Sequence, residues 1–111
     1  MKRKSKIDLL QGTLELLVLR MLHSGPANGW DLMQRMQLVS KEELRVTPGS
    51  LYPALHRLEE RGLVDSEWGV SEKNRKAKFY KITAAGVRHL EAEREAWERF
   101  SGAIDLILRD A

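Results

Sequence analysis

The hydrophobic and polar positions of this chain divide it into helical stretches and two strand-like runs. From Leu9 to Leu22 the sequence LLQGTLELLVLRML places apolar side chains at 10, 14, 17, 18 and 21, the spacing of one helix face, and Leu9, Leu16, Leu19 and Leu22 widen that face. A helix so broadly apolar is expected to be buried on more than one side. Ser24-Gly25-Pro26 ends it. Asn28 is suited to cap a second helix that turns Leu32, Met33 and Met36 inward. Ser40 and Glu43 have the capping-box spacing, but no long apolar run follows. Residues 39–46 are therefore expected to form a loop, with a short strand as an option at Leu44–Val46.

A third helix is signalled by Thr47 as N-cap and Pro48 at the first helical position, where the missing N–H costs nothing. Its apolar face is Leu51, Ala54, Leu55 and Leu58, and Gly62 stands where a left-handed terminating residue belongs. Pro53, within the first two turns, is expected to bend this helix without breaking it. Leu63–Trp68 and Lys76–Ile82, rich in β-branched and aromatic residues, read as the strands of a hairpin, with the polar stretch Gly69–Arg75 as its loop. Thr83 then caps a fourth helix reaching about Leu108. On it Leu90, Glu93, Trp97, Phe100, Ile104 and Ile107 are spaced 3, 4, 3, 4, 3, a heptad seam with one polar member. Such a seam has too little of its own domain to bury against, and a second copy of the chain is the expected partner.

The order is three helices, a hairpin and a long helix. The predicted fold is mainly α with a small β-hairpin, a winged helix-turn-helix over residues 1–82 followed by a C-terminal dimerisation helix over 83–111. In that arrangement the third helix enters a DNA groove and the hairpin touches flanking backbone or minor groove.

Composition narrows the chemistry. The 111 residues have room for one domain, and the formal net charge is only +3. Its distribution is more telling. Residues 1–82 carry fifteen Lys and Arg against ten Asp and Glu, whereas residues 83–111 carry four against six. Lys2, Arg3, Lys4 and Lys6 form one basic run, and Lys73, Arg75, Lys76, Lys78 and Lys81 another. Two basic tips suit a polyanion, although charge runs alone are more often solvated loops. The chain has no cysteine, which excludes disulfides, thiolate–metal sites and a thiol nucleophile and fits a cytoplasmic protein. The MKRKSK start resembles the front of a signal peptide, but Asp8, Gln11, Glu15 and Arg20 interrupt the apolar stretch that follows. No membrane span is expected. His23, His56 and His89 stand alone, Glu59 and Glu60 diverge around a helix, and no phosphate-binding loop or nucleophile elbow is present. Neither an enzyme, a metal site nor a cofactor is expected.

Duplex DNA is the better fit. Gly49 and Ser50 bring backbone amides and a hydroxyl to the start of the third helix, where a phosphate is favoured. Tyr52 offers a phenol to phosphate or a ring face to a thymine methyl, or else packs partly into the core. His56 and Arg57 lie off the apolar face; the fork of Arg57 matches guanine, and the plainer alternative is an exposed ion pair with Glu60 or another nearby acid. In the hairpin, Asn74, Arg75, Lys76 and Lys78 can follow the backbone or tip into a minor groove, or simply make a charged turn.

GSLYPALHRLEERGLV at 49–64, followed by EWGVSEKNRKAKFYKIT at 67–83, strongly resembles the PadR family of bacterial transcriptional regulators; LLQGTLELLVLRML, Gly25-Pro26 and Gly29-Trp30 are also similar. The resemblance covers residues 7–90. It implies a dimeric winged-helix DNA-binding protein, usually a repressor. The family's recognition motif falls on Ser50, Leu51, Tyr52, Pro53, His56 and Arg57, and its basic wing on Asn74, Arg75, Lys76 and Lys78. The C-terminal part resembles the subgroup with a single dimerisation helix. Trp30 stands where an aromatic, often tyrosine, is usual. A pseudo-palindromic operator follows from two-fold symmetry. The dimerisation residues are then Leu90, Trp97, Phe100, Ile104 and Ile107. Trp97 is a candidate wall for a flat apolar or aromatic effector, against the simpler role of packing its partner. Two other readings compete: a winged helix used for protein or RNA contact, and a ligand-binding dimer without specific DNA binding.

Overall fold

The computed structural model describes residues 11–110. Helix α1 spans Gln11–His23, strand β1 Ala27–Asn28, helix α2 Gly29–Val39, helix α3 Pro48–Glu60, strands β2 and β3 Val64–Val70 and Lys76–Ile82, and helix α4 Ala84–Asp110. The basic run at residues 1–6 and the side chains of Leu9 and Leu10 lie outside the described residues.

The core forms where the apolar faces of three helices meet one side of the sheet. Leu14, Val18, Leu19 and Leu22 of α1 pack with Leu32 and Met36 of α2, Leu51, Ala54, Leu55 and Leu58 of α3, and Leu63, Val64, Tyr80 and Leu90. Fully burying one such leucine contributes roughly 1.5–3 kcal/mol relative to leaving it exposed. Leu16, Leu17 and Met21 are partly buried against the same cluster, as expected of a helix covered on more than one side. The α2–α3 pair is the helix-turn-helix, and β2 with β3 is the wing.

Caps set several boundaries. Asn28 Oδ1 accepts the Asp31 N–H at 2.8 Å and starts α2. Thr47 is the N-cap of α3, but it does so without a side-chain bond to the backbone; its Oγ1 lies 3.4 Å from Ser50 Oγ. Gly62 ends α3 at φ +72°, with the N–H groups of Gly62 and Leu63 returning to the carbonyls of Glu59 and Leu58 at 3.0 Å each. That double bond is a Schellman termination, which requires the left-handed residue glycine supplies.

The strands depart from those predicted in three respects. It has three antiparallel strands in the order β1-β3-β2, with Ala27 opposite Tyr80 and Asn28 opposite Phe79. A two-residue strand is too short to leave a period in the sequence. Gly69 and Val70 belong to β2, paired with Ala77 and Lys76, so the loop is shorter than Gly69–Arg75. Leu44–Val46 forms no strand. The chain turns there through Lys41 and Glu42, both at positive φ, and the Leu44 N–H bonds the Ser40 hydroxyl at 3.0 Å. Val46 is apolar because it plugs the core, not because it joins a sheet.

Helix α4 is rooted before it projects. Thr83 Oγ1 accepts the Gly86 N–H at 3.0 Å and donates to the Gly62 carbonyl at 2.8 Å. A Cβ at Gly86 would collide with the Leu63 carbonyl oxygen and lie 2.6 Å from Ile82 Cγ1, so only glycine lets the helix sit this close. The first two turns thereby join the core. Beyond Leu90 the helix is exposed through Asp110, Ser101 alone being half-buried.

Candidate nucleic-acid interface

The sequence of α3 divides its surface as predicted: Leu51, Ala54, Leu55 and Leu58 face inward, leaving Tyr52, Pro53 and His56 exposed and Ser50 and Arg57 half-buried. Gly49 is open, so the first turn presents backbone rather than side chain. Tyr52 is 46% exposed and rests against Gly29 at the start of α2. This α2 contact joins two elements that the sequence treats separately.

Arg57 pairs with an acid from another helix, not with the Glu60 that the sequence suggests. Its Nε donates to Glu15 Oε1 of α1 at 3.1 Å, and Arg61 Nη1 stands 3.7 Å from the other oxygen of the same carboxylate. The acid lies 42 positions earlier in the chain. His56 faces Glu60, with Nε2 at 3.2 Å from Oε1, one helical turn on. Among the residues predicted on α3, Tyr52 is thus the large side chain with no carboxylate partner.

The wing carries its cations in two layers. At the tip, Asn74 takes φ +57°, which its small polar side chain tolerates better than most. Its N–H bonds the Ser71 carbonyl at 2.9 Å, and the Ser71 N–H bonds the Arg75 carbonyl at 2.8 Å. Arg75 and Lys76 are exposed, with Lys76 Nζ 5.1 Å from the Trp68 ring centroid. Nearer the body, Lys78 is tied inward: its Nζ is 3.6 Å from Glu59 Oε1 and 5.7 Å from the Tyr80 ring. Glu59 also accepts a hydrogen bond from the Ser66 hydroxyl. That bond first, and the Lys78 ammonium after it, hold the Glu59 carboxyl below its ordinary value against its partial burial. Burial, reinforced by Glu59 and Tyr52, pushes the Tyr80 phenol upward and keeps it neutral. The base of the wing is therefore bolted to α3 by a charged carboxylate.

These parts surround one cleft of about 790 Å³. Tyr52 closes one side, the first turn of α2 with Trp30 another, and Trp68, Arg75, Lys76 and Lys78 of the wing a third. The cleft can accept an anionic backbone at its cationic wall while the phenol of Tyr52 reaches a base edge or a phosphate. Trp30 and Lys73 are part of it and were absent from the predicted contact residues; their proximity, with Lys73 Nζ 5.9 Å from the Trp30 ring, spans 43 positions and leaves no local pattern.

On α4, Trp97, Phe100, Ile104 and Ile107 are all exposed, and Leu106 and Leu108 widen the apolar surface. The Trp97 and Phe100 rings are 6.2 Å apart at 49°. Leu90 departs from the predicted seam: it is 2% exposed and spent in the core of its own chain, because the helix is still docked on the domain at that turn. Among the described residues no helix is long and apolar enough to cross a membrane, and no cluster of three or more histidine or acidic groups could hold a metal ion.

Known proteins share this arrangement. The family model described as "Transcriptional regulator PadR-like family" matches residues 18–92. "Transcriptional regulator Rv3488" of Mycobacterium tuberculosis is 39% identical over 83 residues, covering 75% of this chain and 77% of the relative. A transcriptional regulator from Clostridium thermocellum superposes with a TM-score of 0.81 at 26% identity, over 88% of this chain and 95% of that one. A PadR-like transcriptional regulator from Bacillus cereus does so with a TM-score of 0.80 at 26% identity, over 94% and 99%. The helix-turn-helix, the wing and the root of α4 all fall within the matched residues, and the chain belongs to the PadR-like family of transcriptional regulators.

Proposed function

We propose that this protein is a cytoplasmic, homodimeric repressor that binds a pseudo-palindromic operator and acts by occupying a promoter. The observation that carries the reading is the shared cleft, in which Tyr52 of α3 and Arg75 and Lys76 of the wing face one space. Phosphate contacts from the wing supply affinity, and the α3 surface supplies sequence register. Helix α4 joins two copies through Trp97, Phe100, Ile104 and Ile107, whose exposure is costly for a free helix and removed by pairing. A two-fold dimer sets its half-sites one helical turn, about 34–36 Å, or a multiple apart. The tilted Trp97–Phe100 pair gives the same seam an aromatic wall for a flat effector. An effector releases DNA only by favouring a dimer whose recognition helices are wrongly spaced.

The test is a titration against labelled duplex from upstream of the protein's own gene, with scrambled duplex as control, at two salt concentrations. The expected outcome is binding at least ~10³-fold tighter to the native duplex, falling steeply with salt. Equal, weak binding to both, followed by an empty selection from genomic DNA, overturns the reading in favour of a protein- or ligand-binding module.

A further inference from the structure

Gly29 is the first residue of α2 and lines the cleft with the Tyr52 side chain packed directly on it. A Cβ built there would lie 2.7 Å from Cζ and 2.9 Å from Cε1 of Tyr52, and closer still to its hydroxyl. No real Cβ tolerates such distances, so either residue 29 or the tyrosine has to move. Residue 29 is not free to do so. Asn28 before it is 8% exposed, is paired with Phe79 of β3, and caps α2 through the Asp31 N–H. Trp30 after it lies under Lys73 of the wing tip. Gly29 itself is buried. The atoms in conflict are the far end of the Tyr52 side chain, half of which faces solvent, so the ring is the part that gives way.

We propose that Gly29 is a positioning residue for DNA recognition: the absent side chain at the start of α2 is the seat that holds the Tyr52 phenol in the cleft. The inference rests on the DNA-binding reading above. The glycine is required by close approach and not by backbone conformation, since it lies in helix and its φ is not among the left-handed ones. A merely structural role for this close approach predicts that Gly29→Ala lowers stability and leaves the operator preference unmoved, since intrinsic helix preference by itself favours alanine over glycine.

A double-mutant cycle with a spectroscopic readout tests this. Gly29→Ala, Tyr52→Ala and the pair are compared for thermal melting and for the ratio of operator to scrambled-duplex affinity. The chain has two tyrosines, Tyr52 and Tyr80, so 3-fluorotyrosine labelling gives one fluorine resonance for each. Gly29→Ala is expected to keep its melting temperature, to shift the Tyr52 resonance more than that of Tyr80, and to lower the operator preference about tenfold. On the Tyr52→Ala background the same substitution is expected to change that preference by less than about twofold. An equal loss in both backgrounds, or an unmoved Tyr52 resonance, overturns the seat while leaving the regulator reading intact. A Tyr52 resonance that moves in a protein whose wild type prefers no duplex and selects none from genomic DNA retains the contact but overturns its role in DNA recognition, together with the proposed operator binding.

Discussion

Two carboxylates decide how the side chains proposed to contact DNA are held, and neither is among the predicted contact residues. Glu15 takes Arg57 and Arg61, and Glu59 takes Lys78 and the Ser66 hydroxyl. The Glu15–Arg57 pair is partly exposed, so its coupling measured by a double-mutant cycle in urea unfolding is expected to be no more than about 1 kcal/mol. Tyr52→Ala, by contrast, removes a half-exposed ring with no such partner and is expected to cost operator affinity about 5- to 150-fold with little change in folding. A larger affinity loss for Arg57→Ala than for Tyr52→Ala in the same titration would contradict this ordering. Glu59 gives a pH signature. Its carboxyl is held below its ordinary value in the folded chain, so the unfolded state takes up a proton first as pH falls. The stability it supplies is present above the unfolded value and is lost as pH drops through the folded one. Glu59→Gln should therefore flatten the acid limb of stability against pH, read as urea midpoints from neutrality down through the ordinary carboxylate range and below it. Identical acid limbs in the two proteins would show that the bolt at the base of the wing contributes nothing.

At the scale of elements, the junction between α3, β2 and α4 is closely packed. Gly62 reverses the chain, Thr83 spans from its carbonyl to the first turn of α4, and Gly86 lies against the Leu63 carbonyl. Gly86→Ala is expected to destabilise by about 1–3 kcal/mol through overpacking against backbone that cannot rotate away. Leu55→Ala, in the fully buried face of α3, should cost about 2–5 kcal/mol. Chemical denaturation of both variants checks the pair; a neutral Gly86→Ala would mean that α4 can slide on its root. The legibility of the elements follows the same physics. Long periodic segments were readable from composition and spacing, since α1 and α3 each bury a continuous apolar stripe and α4 carries one that is buried only as far as Leu90. β1 was not, because two residues carry no period and are strand only by virtue of Tyr80 and Phe79 opposite them. Gly69 and Val70 were read as loop because glycine weakens a strand signal; cross-strand pairing with Ala77 and Lys76 overrides it.

For the whole molecule, the contrast between the rooted and projecting parts of α4 matters most. The chain measures 54 × 34 × 24 Å along its principal axes, and residues 91–110 of the helix extend about 30 Å beyond the turn at which Leu90 is buried. Phe100 and Ile104 lie in the projecting part, at 59% and 38% exposure. Replacing both by aspartate should leave the melting of the winged domain nearly unchanged, because neither belongs to its core. It should convert the protein to a monomer in sedimentation velocity and reduce operator binding to that of a single half-site. A wild-type protein that sediments as a monomer at micromolar concentration would remove the dimer from the proposed mechanism while leaving the cleft in place.

What the amino-acid sequence determined by itself was local: helix faces, the capping of α2 by Asn28, the turn at Gly62, the basic character of the wing and the aromatic seam of α4. Each depends on residues within a few positions of one another, where periodicity and backbone preference act. The tertiary structure alone decided which charges are free and which rings meet. Glu15 reaches Arg57, Gly29 admits Tyr52 and Lys73 covers Trp30 only because helices and wing are packed into one body. Leu90 shows the boundary between the two regimes. Its spacing correctly marks it as apolar and part of a stripe, but the same spacing serves a core and a partner equally well. Burial is a property of what stands opposite, and in this chain that is the protein's own domain up to Leu90 and open surface beyond it.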